Sequence, residues 1–234
     1  MVKRHIVFLT GAGVSVESGL STFRGKDGLW TNEEWAYLAS TDALYNDTQK
    51  CLDFYNWRRK QLAEVEPNEA HRMIAELEKE HEVTVITQNV DNLHERAGST
   101  HVIHLHGELT KIRPENCCNE RDNYSERSVI DIGYDEVRLG DKAPNGAQYR
   151  PHIVFFGEAV PKLERAIELV SRADIVLIVG TSLQVYPAAG LYRYAPDGSP
   201  IYIIDPSDVK VPDPRLHHIR EVATVGMEKF IELL

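Results

Sequence analysis

Apolar positions cluster in four short runs, at residues 6–9, 83–86, 175–179 and 201–204. Each run is rich in β-branched residues and has no polar interruption, the pattern of parallel strands buried on both faces. Between the runs the period changes. Residues 70–79 and 163–171 repeat apolar side chains at helical spacing, and each stretch leads into the β run that follows it. This alternation predicts an α/β fold built on a doubly wound, parallel, Rossmann-like sheet. Two stretches break the rhythm. Residues 31–70 are rich in Trp and Tyr and read as helical, whereas residues 109–150 hold short alternating pieces such as Val129-Ile130-Asp131-Ile132. Both are expected to be insertions that pack together as a smaller lobe. Residues 1–30, 71–108 and 151–234 then form the large lobe of a single unit. A ligand cleft is expected between the lobes, because pockets favour such junctions.

Composition narrows the function classes. The chain has 234 residues, 42% hydrophobic and 26% charged, which suits a folded globular protein, and its formal net charge is -10. An acidic surface argues against nucleic-acid binding, which needs cations to displace counterions from phosphates. No apolar stretch is long enough to span a bilayer, and no charged segment followed by a long apolar one marks a signal peptide. Three cysteines, Cys51, Cys117 and Cys118, make no disulfide framework, so a cytoplasmic protein is expected.

The first β run leads directly into Gly11-Ala12-Gly13-Val14-Ser15. Glycines between a strand and a helix start permit a tight turn and close backbone approach, and the helix start offers N–H groups to a phosphate. The full dinucleotide pattern G-x-G-x-x-G has Val16 at its third position here, so the loop alone fits a nucleotide site and an ordinary turn about equally. Three further polar clusters follow predicted strands: Thr87 to His94 (TQNVDNLH), His104-Leu105-His106-Gly107 and Gly180-Thr181-Ser182-Leu183. In an open parallel sheet, ligands bind at the carboxyl ends of the strands, so these clusters are expected to converge. Together they offer backbone donors, an amide, a carboxylate and an imidazole, but no strong nucleophile with its own base. A cofactor carrying the reactive bond is therefore expected.

The run GAGVSVESGLSTFRG, residues 11–25, closely resembles the signature of the sirtuins, the NAD-consuming protein-lysine deacylases. The other three clusters resemble that family too, in the same order and at similar spacing. The resemblance implies NAD as cofactor, its diphosphate against Gly11, Ala12, Gly13 and Ser15, with Gly180, Thr181 and Ser182 also on the cofactor. It puts Thr22, Phe23 and Arg24 in a loop covering the nicotinamide ribose, with Trp30 on the same ligand. Gln88 would bond ribose hydroxyls, while Asn89, Val90 and Asp91 line the nicotinamide pocket. The acyl oxygen of a modified lysine would attack the ribose as nicotinamide leaves, with Asn89 and His106 as the catalytic residues and His106 the general base. Products would be free lysine and O-acyl-ADP-ribose. The partners implied are acylated proteins bound as extended peptides between residues 154–158 and 183–186, through Val154, Phe156, Gly157 and Glu158. Asp205 stands where the family often has an Asn at the adenine ribose, and Ala223 where its chain passes the adenine.

Structural alternatives accompany these roles. Asp91 could cap the helix after it, and His104 and His106, two apart on one strand, would face the same way, with His104 structural. Most sirtuins hold a zinc with two C-x-x-C pairs. Here only the adjacent Cys117 and Cys118 stand in that lobe, so no metal is expected. The acyl group is addressed by Tyr55-Asn56-Trp57-Arg58, whose Tyr and Arg share a helix face and can grip a carboxylate together. This motif, with Ala39 widening the acyl pocket and Thr22 before Phe23, resembles the desuccinylase and demalonylase branch. The structural alternative buries Tyr55 in the small lobe and pairs Arg58 with Asp53. An ADP-ribosyltransferase and a non-catalytic NAD-sensing module are the competing functions.

Overall fold

The computed structural model describes residues 2–22, 33–115, 128–209 and 213–234. Its strands are β1 (His5–Thr10), β2 (Glu82–Thr87), β3 (Val102–His104), β4 (Gly107–Pro114), β5 (Ile130–Asp131), β6 (Tyr149–Ile153), β7 (Ile175–Val179), β8 (Ile201–Ile204) and β9 (Leu216–Ile219). The helices are α1 (Glu33–Leu38), α2 (Thr41–Asn46), α3 (Thr48–Ala63), α4 (Glu69–Glu76), α5 (Leu93–Ala97), α6 (Leu163–Val170) and α7 (Ala223–Ile231). A six-stranded sheet runs in the order β3-β2-β1-β7-β8-β9, parallel at every pairing. The four apolar runs lie in β1, β2, β7 and β8, its central strands. The short edge strands β3 and β9 lack such runs because each is paired on one side only.

Burial of both faces explains the unbroken apolar runs. Val7, Leu9, Val176, Ile178, Ile201 and Ile203 face a core closed by α6 and by a 3₁₀ segment, Ala188–Tyr194. The alternate residues Ile6, Phe8, Ile175, Leu177 and Val179 face a second core with Ala70 and Ile74 of α4 and Met227 and Phe230 of α7. Successive side chains of one strand thus enter different cores, so neither parity is left for solvent. Strand β1 pairs with β2 on one edge and with β7 on the other, so the strand order reverses direction at β1. This leaves a crevice at the carboxyl end of β1.

The smaller sheet has the order β5-β4-β6 and is antiparallel. It includes residues 107–108 and 151–153, which the sequence reading had assigned to the large lobe. The three-strand pairing decides this, since the hydrophobic pattern does not show where β3 gives way to β4. Helix α3 packs here, and much of its attachment is polar. Asn56 of α3 exchanges two hydrogen bonds with Val137, through Nδ2 to the carbonyl at 2.9 Å and from the amide to Oδ1 at 2.9 Å. Arg59, fully buried, donates to the Leu109 carbonyl of β4 at 2.7 Å and to Asn56 Oδ1 at 2.8 Å. Burial lowers its pKa to about 10, which leaves the guanidinium charged at neutral pH.

Two imidazoles lie between α4, α5 and the end of β1. His71 and His94 are fully buried in practice, with ring centroids 4.8 Å apart in a T-shaped contact. His94 Nε2 meets Thr10 Oγ1 at 3.1 Å. Burial drives the pKa of His71 down to about 4, with Arg72 adding to the effect, and pushes His94 well below the ordinary histidine value. Both rings are neutral in the folded chain near pH 7. Between the ordinary value of about 6.5 and about 4, the unfolded chain binds a proton at His71 that the folded chain excludes, so stability falls as pH falls through that window. Urea unfolding at about pH 7 and about pH 4.5 should show a loss that His71→Gln reduces by roughly 2–3 kcal/mol. Equal pH dependence in both chains would mean that His71 is protonated without cost.

Candidate active site

The carboxyl ends of β1, β7 and β8 are stitched together by backbone alone. Gly11 N donates to Val179 O at 3.0 Å, Gly13 N to Gly180 O at 2.8 Å, and Gly180 N to Ile204 O at 3.0 Å. The two glycine loops touch. A Cβ on Gly13 would stand 2.6 Å from Gly180 Cα, and one on Gly180 would stand 2.3 Å from Val14 N, with Gly180 at φ +62°. Side chains are excluded at both positions, which explains Gly at each more directly than a dinucleotide pattern does. After the turn the chain forms a 3₁₀ helix, Ala12–Ser18, and Val16 lies 46% exposed on it. The third glycine of the fingerprint serves close helix–strand packing. Here that close approach is made between Gly13 and Gly180, so Val16 is tolerated.

The clusters predicted after β2 and β3 converge on the same end of the sheet. Asn89, Asp91 and Ser15 are buried and mutually bonded: Asn89 Nδ2 donates to Gly11 O at 3.1 Å and Ser15 Oγ at 3.2 Å, and Ser15 Oγ donates to Asp91 Oδ2 at 3.1 Å. Asp91 Oδ1 also accepts from Leu93 N at 3.2 Å, a local turn bond one residue before Asn92, the cap position of α5. Burial raises its pKa, opposed by the bonds from Leu93 and Ser15. Gln88 Nε2 reaches Thr181 Oγ1 at 3.3 Å, joining the loops after β2 and β7.

The two histidines of the third cluster do not share a strand face. β3 stops at His104, and His106 lies in the turn before Gly107, which has φ +82°. The turn, invisible in a two-residue spacing, separates them. His104 is buried and bridges Glu95 Oε1, at 2.7 Å from Nε2, and Asn89 O, at 3.0 Å from Nδ1. Glu95, His104 and Glu108 could together ligate a metal, but His104 is already bonded to Glu95, and Glu108 is ion-paired with Lys111 at 2.7 Å. His106 donates from Nδ1 to Gln88 O at 3.0 Å, which leaves Nε2 as the acceptor in the neutral ring. Burial lowers its pKa, and the Gln88 bond opposes that shift.

A cleft of about 1120 Å³ passes between the lobes. Its wall includes Gly11, Ala12, Gly13, Thr22, Gln88, Asn89, Val90, His106, Gly180, Thr181 and Ser182. Val154, Phe156, Gly157 and Glu158 line it opposite Leu183, Gln184, Val185 and Tyr186. Ala39 and Tyr55 line it from the small lobe, and Asp205 and Ala223 from the far end. Ser15 and Asp91 are bonded to each other, both buried. Phe23, Arg24, Trp30, Cys117 and Cys118 lie outside the described residues. Cys51 is a core thiol of α3, donating weakly to Leu38 O at 3.6 Å, and burial lifts its pKa to about 12.

Three placements were not legible in the sequence. Glu158 is bonded to Arg150, with contacts at 2.6 and 3.0 Å, and to Phe155 N at 2.8 Å, so its carboxylate braces the loop that lines the cleft. Asp53 accepts from Gln49 at 2.9 Å, while the Arg58 guanidinium stands 6.0 Å from the Phe54 ring centroid and burial lowers its pKa. Glu17 lines the cleft and accepts from Thr224 at the start of α7, at 3.0 Å from its amide and 2.7 Å from its hydroxyl. No local pattern announces this last bond, whose partners are 207 residues apart.

With this geometry in view, comparison with known proteins is informative. A family model described as "Sir2 family" matches residues 11–187. A protein of Bacteroides thetaiotaomicron named NAD-dependent protein deacylase is 51% identical over 99% of this chain and 98% of its own length. One of the same name from Helicobacter pylori is 51% identical over 87% of this chain and 85% of its own. Among solved structures, a Sir2 homologue in complex with NAD is 38% identical and superimposes with a TM-score of 0.84, covering 98% of this chain and 88% of that one. A Sir2 complex with p53 peptide and NAD⁺ is 30% identical, with a TM-score of 0.74 over 98% and 93% of the two chains.

The Gly13–Gly180 contact makes a sharp test of how the loops are built. Gly180→Ala introduces a Cβ into the backbone of Val14 and Gly13 at a positive φ. It should destabilise the fold by roughly 2–4 kcal/mol and weaken NAD binding in calorimetric titration. An unchanged melting temperature with unchanged affinity would show that the loops separate without cost.

Proposed function

The chain belongs to the Sir2 family and is an NAD-dependent protein deacylase, and on that premise we propose that it prefers lysines carrying succinyl or malonyl groups. The cleft residues suit NAD. Gly11, Ala12, Gly13 and Gly180 line the cleft with main chain that a diphosphate can approach closely, and Gln88, Thr181 and Ser182 supply polar groups for the sugars. When bound, NAD supplies the reactive bond, the glycosidic link to nicotinamide. Asn89, Val90 and Asp91 hold the nicotinamide end, with Asn89 fixed by Gly11 O and Ser15. Asp205 and Ala223 hold the adenosine end.

His106 is the general base. Its Nδ1 proton is tied to the Gln88 carbonyl, so Nε2 accepts the proton of a sugar hydroxyl. Its depressed pKa keeps the ring neutral at physiological pH and ready as a base. The substrate is an extended peptide that pairs with residues 154–158 and 183–186, as befits the exposed Phe156 and Tyr186 on those segments. A bound p53 peptide in a structural relative supports the same reading.

One observation carries the acyl preference. Tyr55 lines the cleft and is buried against Phe155 at a ring distance of 5.3 Å, and Arg58 follows one turn along α3 with its guanidinium 6.0 Å from the Phe54 ring centroid. Tyr55 packs in the small-lobe core, as the structural alternative has it. It does so with one edge on the cleft, where a phenol can donate to an acyl carboxylate beside a guanidinium. Ala39 leaves space there.

Two outcomes follow. His106→Ala should lower deacylation about 100- to 10,000-fold while calorimetric NAD affinity stays near wild type, and the wild-type acid limb of kcat/KM should fall below about pH 6.5. Turnover near wild type in that variant would remove His106 from the reaction. Arg58→Met should cost about 2–5 kcal/mol in kcat/KM on a succinyl-lysine peptide and spare the acetyl-lysine peptide. Equal losses on both would make Arg58 a structural residue.

A further inference from the structure

Asn68 takes no part in the reaction as described, yet it joins α4 to the glycine-loop helix. Its side chain faces two ways. Oδ1 accepts from Ala70 N at 3.0 Å and His71 N at 3.4 Å, capping the first turn of α4. Those N–H groups fix the amide orientation, so Nδ2 must point away from α4. It donates to Val14 O at 2.8 Å and to Ser18 Oγ at 3.0 Å, both on the 3₁₀ helix Ala12–Ser18. That helix has no side-chain cap of its own at Gly11. The bonds span 54 and 50 residues, so they are tertiary ties and not local turns.

The mount behind Asn68 is rigid. Asn68 N donates to His71 Nδ1 at 3.4 Å and closes a capping box, and the His71 ring rests on buried His94, which is bonded to Thr10 at the end of β1. Ala70 and Ile74 lock α4 against the sheet. Helix α4 therefore holds one side of the glycine-loop helix through this carboxamide and through the packing of Val14 with Ala70 and Ile74, and that loop begins at the end of the strand that is bonded to His94.

We infer that Asn68 is a positioning residue for NAD: its carboxamide holds Val14 and Ser18 so that Gly11, Ala12 and Gly13 meet the diphosphate in the productive arrangement. This rests on the reading of the glycine loop as the NAD cradle. Asp and Ser at position 68 separate the two jobs. Either keeps an oxygen for the α4 cap, but neither keeps an amide donor that reaches both Val14 O and Ser18 Oγ.

Asn68→Asp and Asn68→Ser should both raise the KM for NAD about 5- to 50-fold, with kcat at saturating NAD and the KM for the acyl peptide within about twofold of wild type. Their melting temperatures should stay close to wild type, whereas Asn68→Ala, which loses the cap as well, should melt lower. Three results overturn the inference: an unchanged NAD KM in both variants, a defect in Asp alone, which would trace it to the new charge, or a KM rise that merely follows a loss of folded protein. Calorimetric titration of the wild-type chain keeps the underlying reading separate. If the unaltered protein fails to bind NAD, the cradle assignment falls; if it binds and the variants match it, only the role of Asn68 falls.

Discussion

The contact between Gly13 and Gly180 is the constraint on which the site depends. It brings the loops after β1 and β7 into backbone contact, at distances no Cβ permits. Hydrogen bonds from Gly11 to Val179, Gly13 to Gly180 and Gly180 to Ile204 extend that junction across the central strands. Two of the groups assigned to NAD are tied to it directly. Asn89 bonds the Gly11 carbonyl, Gln88 bonds Thr181, and the 3₁₀ helix that begins at Ala12 meets α7 through Glu17 and Thr224. A parallel sheet supplies the crevice, but this junction sets its shape.

Across the cleft the small lobe is held by a different kind of interaction. Its helices share a hydrophobic cluster with Val90 and Leu93 of the large lobe, and Tyr55 belongs to that cluster. Buried polar ties then set the orientation. Arg59 spans α3 and β4, Asn56 captures the Val137 backbone, and Arg150 holds Glu158 beside Phe155. Buried ion pairs and amides add little net stability against an apolar replacement, but they are costly to leave half-made, so they restrict how the lobe can pack. Tyr55 and Arg58 inherit that restriction, because they lie on the same helix as Asn56 and Arg59.

The histidines show how burial sorts one residue type into several roles. His71 and His94 are neutral and carry packing and hydrogen bonds under the glycine loop. The pKa of His104 is raised: burial works against the charge, but Glu95 beside it outweighs burial, so the residue belongs to an ion pair. His106 is buried enough to stay neutral yet lines the cleft with one nitrogen unclaimed by the backbone. Residue identity alone would rank all four equally as bases.

The sequence by itself determined the sheet and the list of site clusters. Unbroken β-branched runs can only be strands buried on both faces, and polar residues directly after such strands must collect at one end of a parallel sheet. What it could not settle is which atoms meet. The parting of His104 and His106 depends on a turn at Gly107, the commitment of Glu158 depends on Arg150 across a loop, and the release of Val16 from the glycine rule depends on Gly180, far along the chain. The cap that Asn68 makes on α4 is local, while its amide bond to the glycine-loop helix goes to a carbonyl 54 residues away. Local patterns record the interactions of neighbours in the chain; contacts between distant loops exist only once the core has closed, and only the tertiary structure decided them.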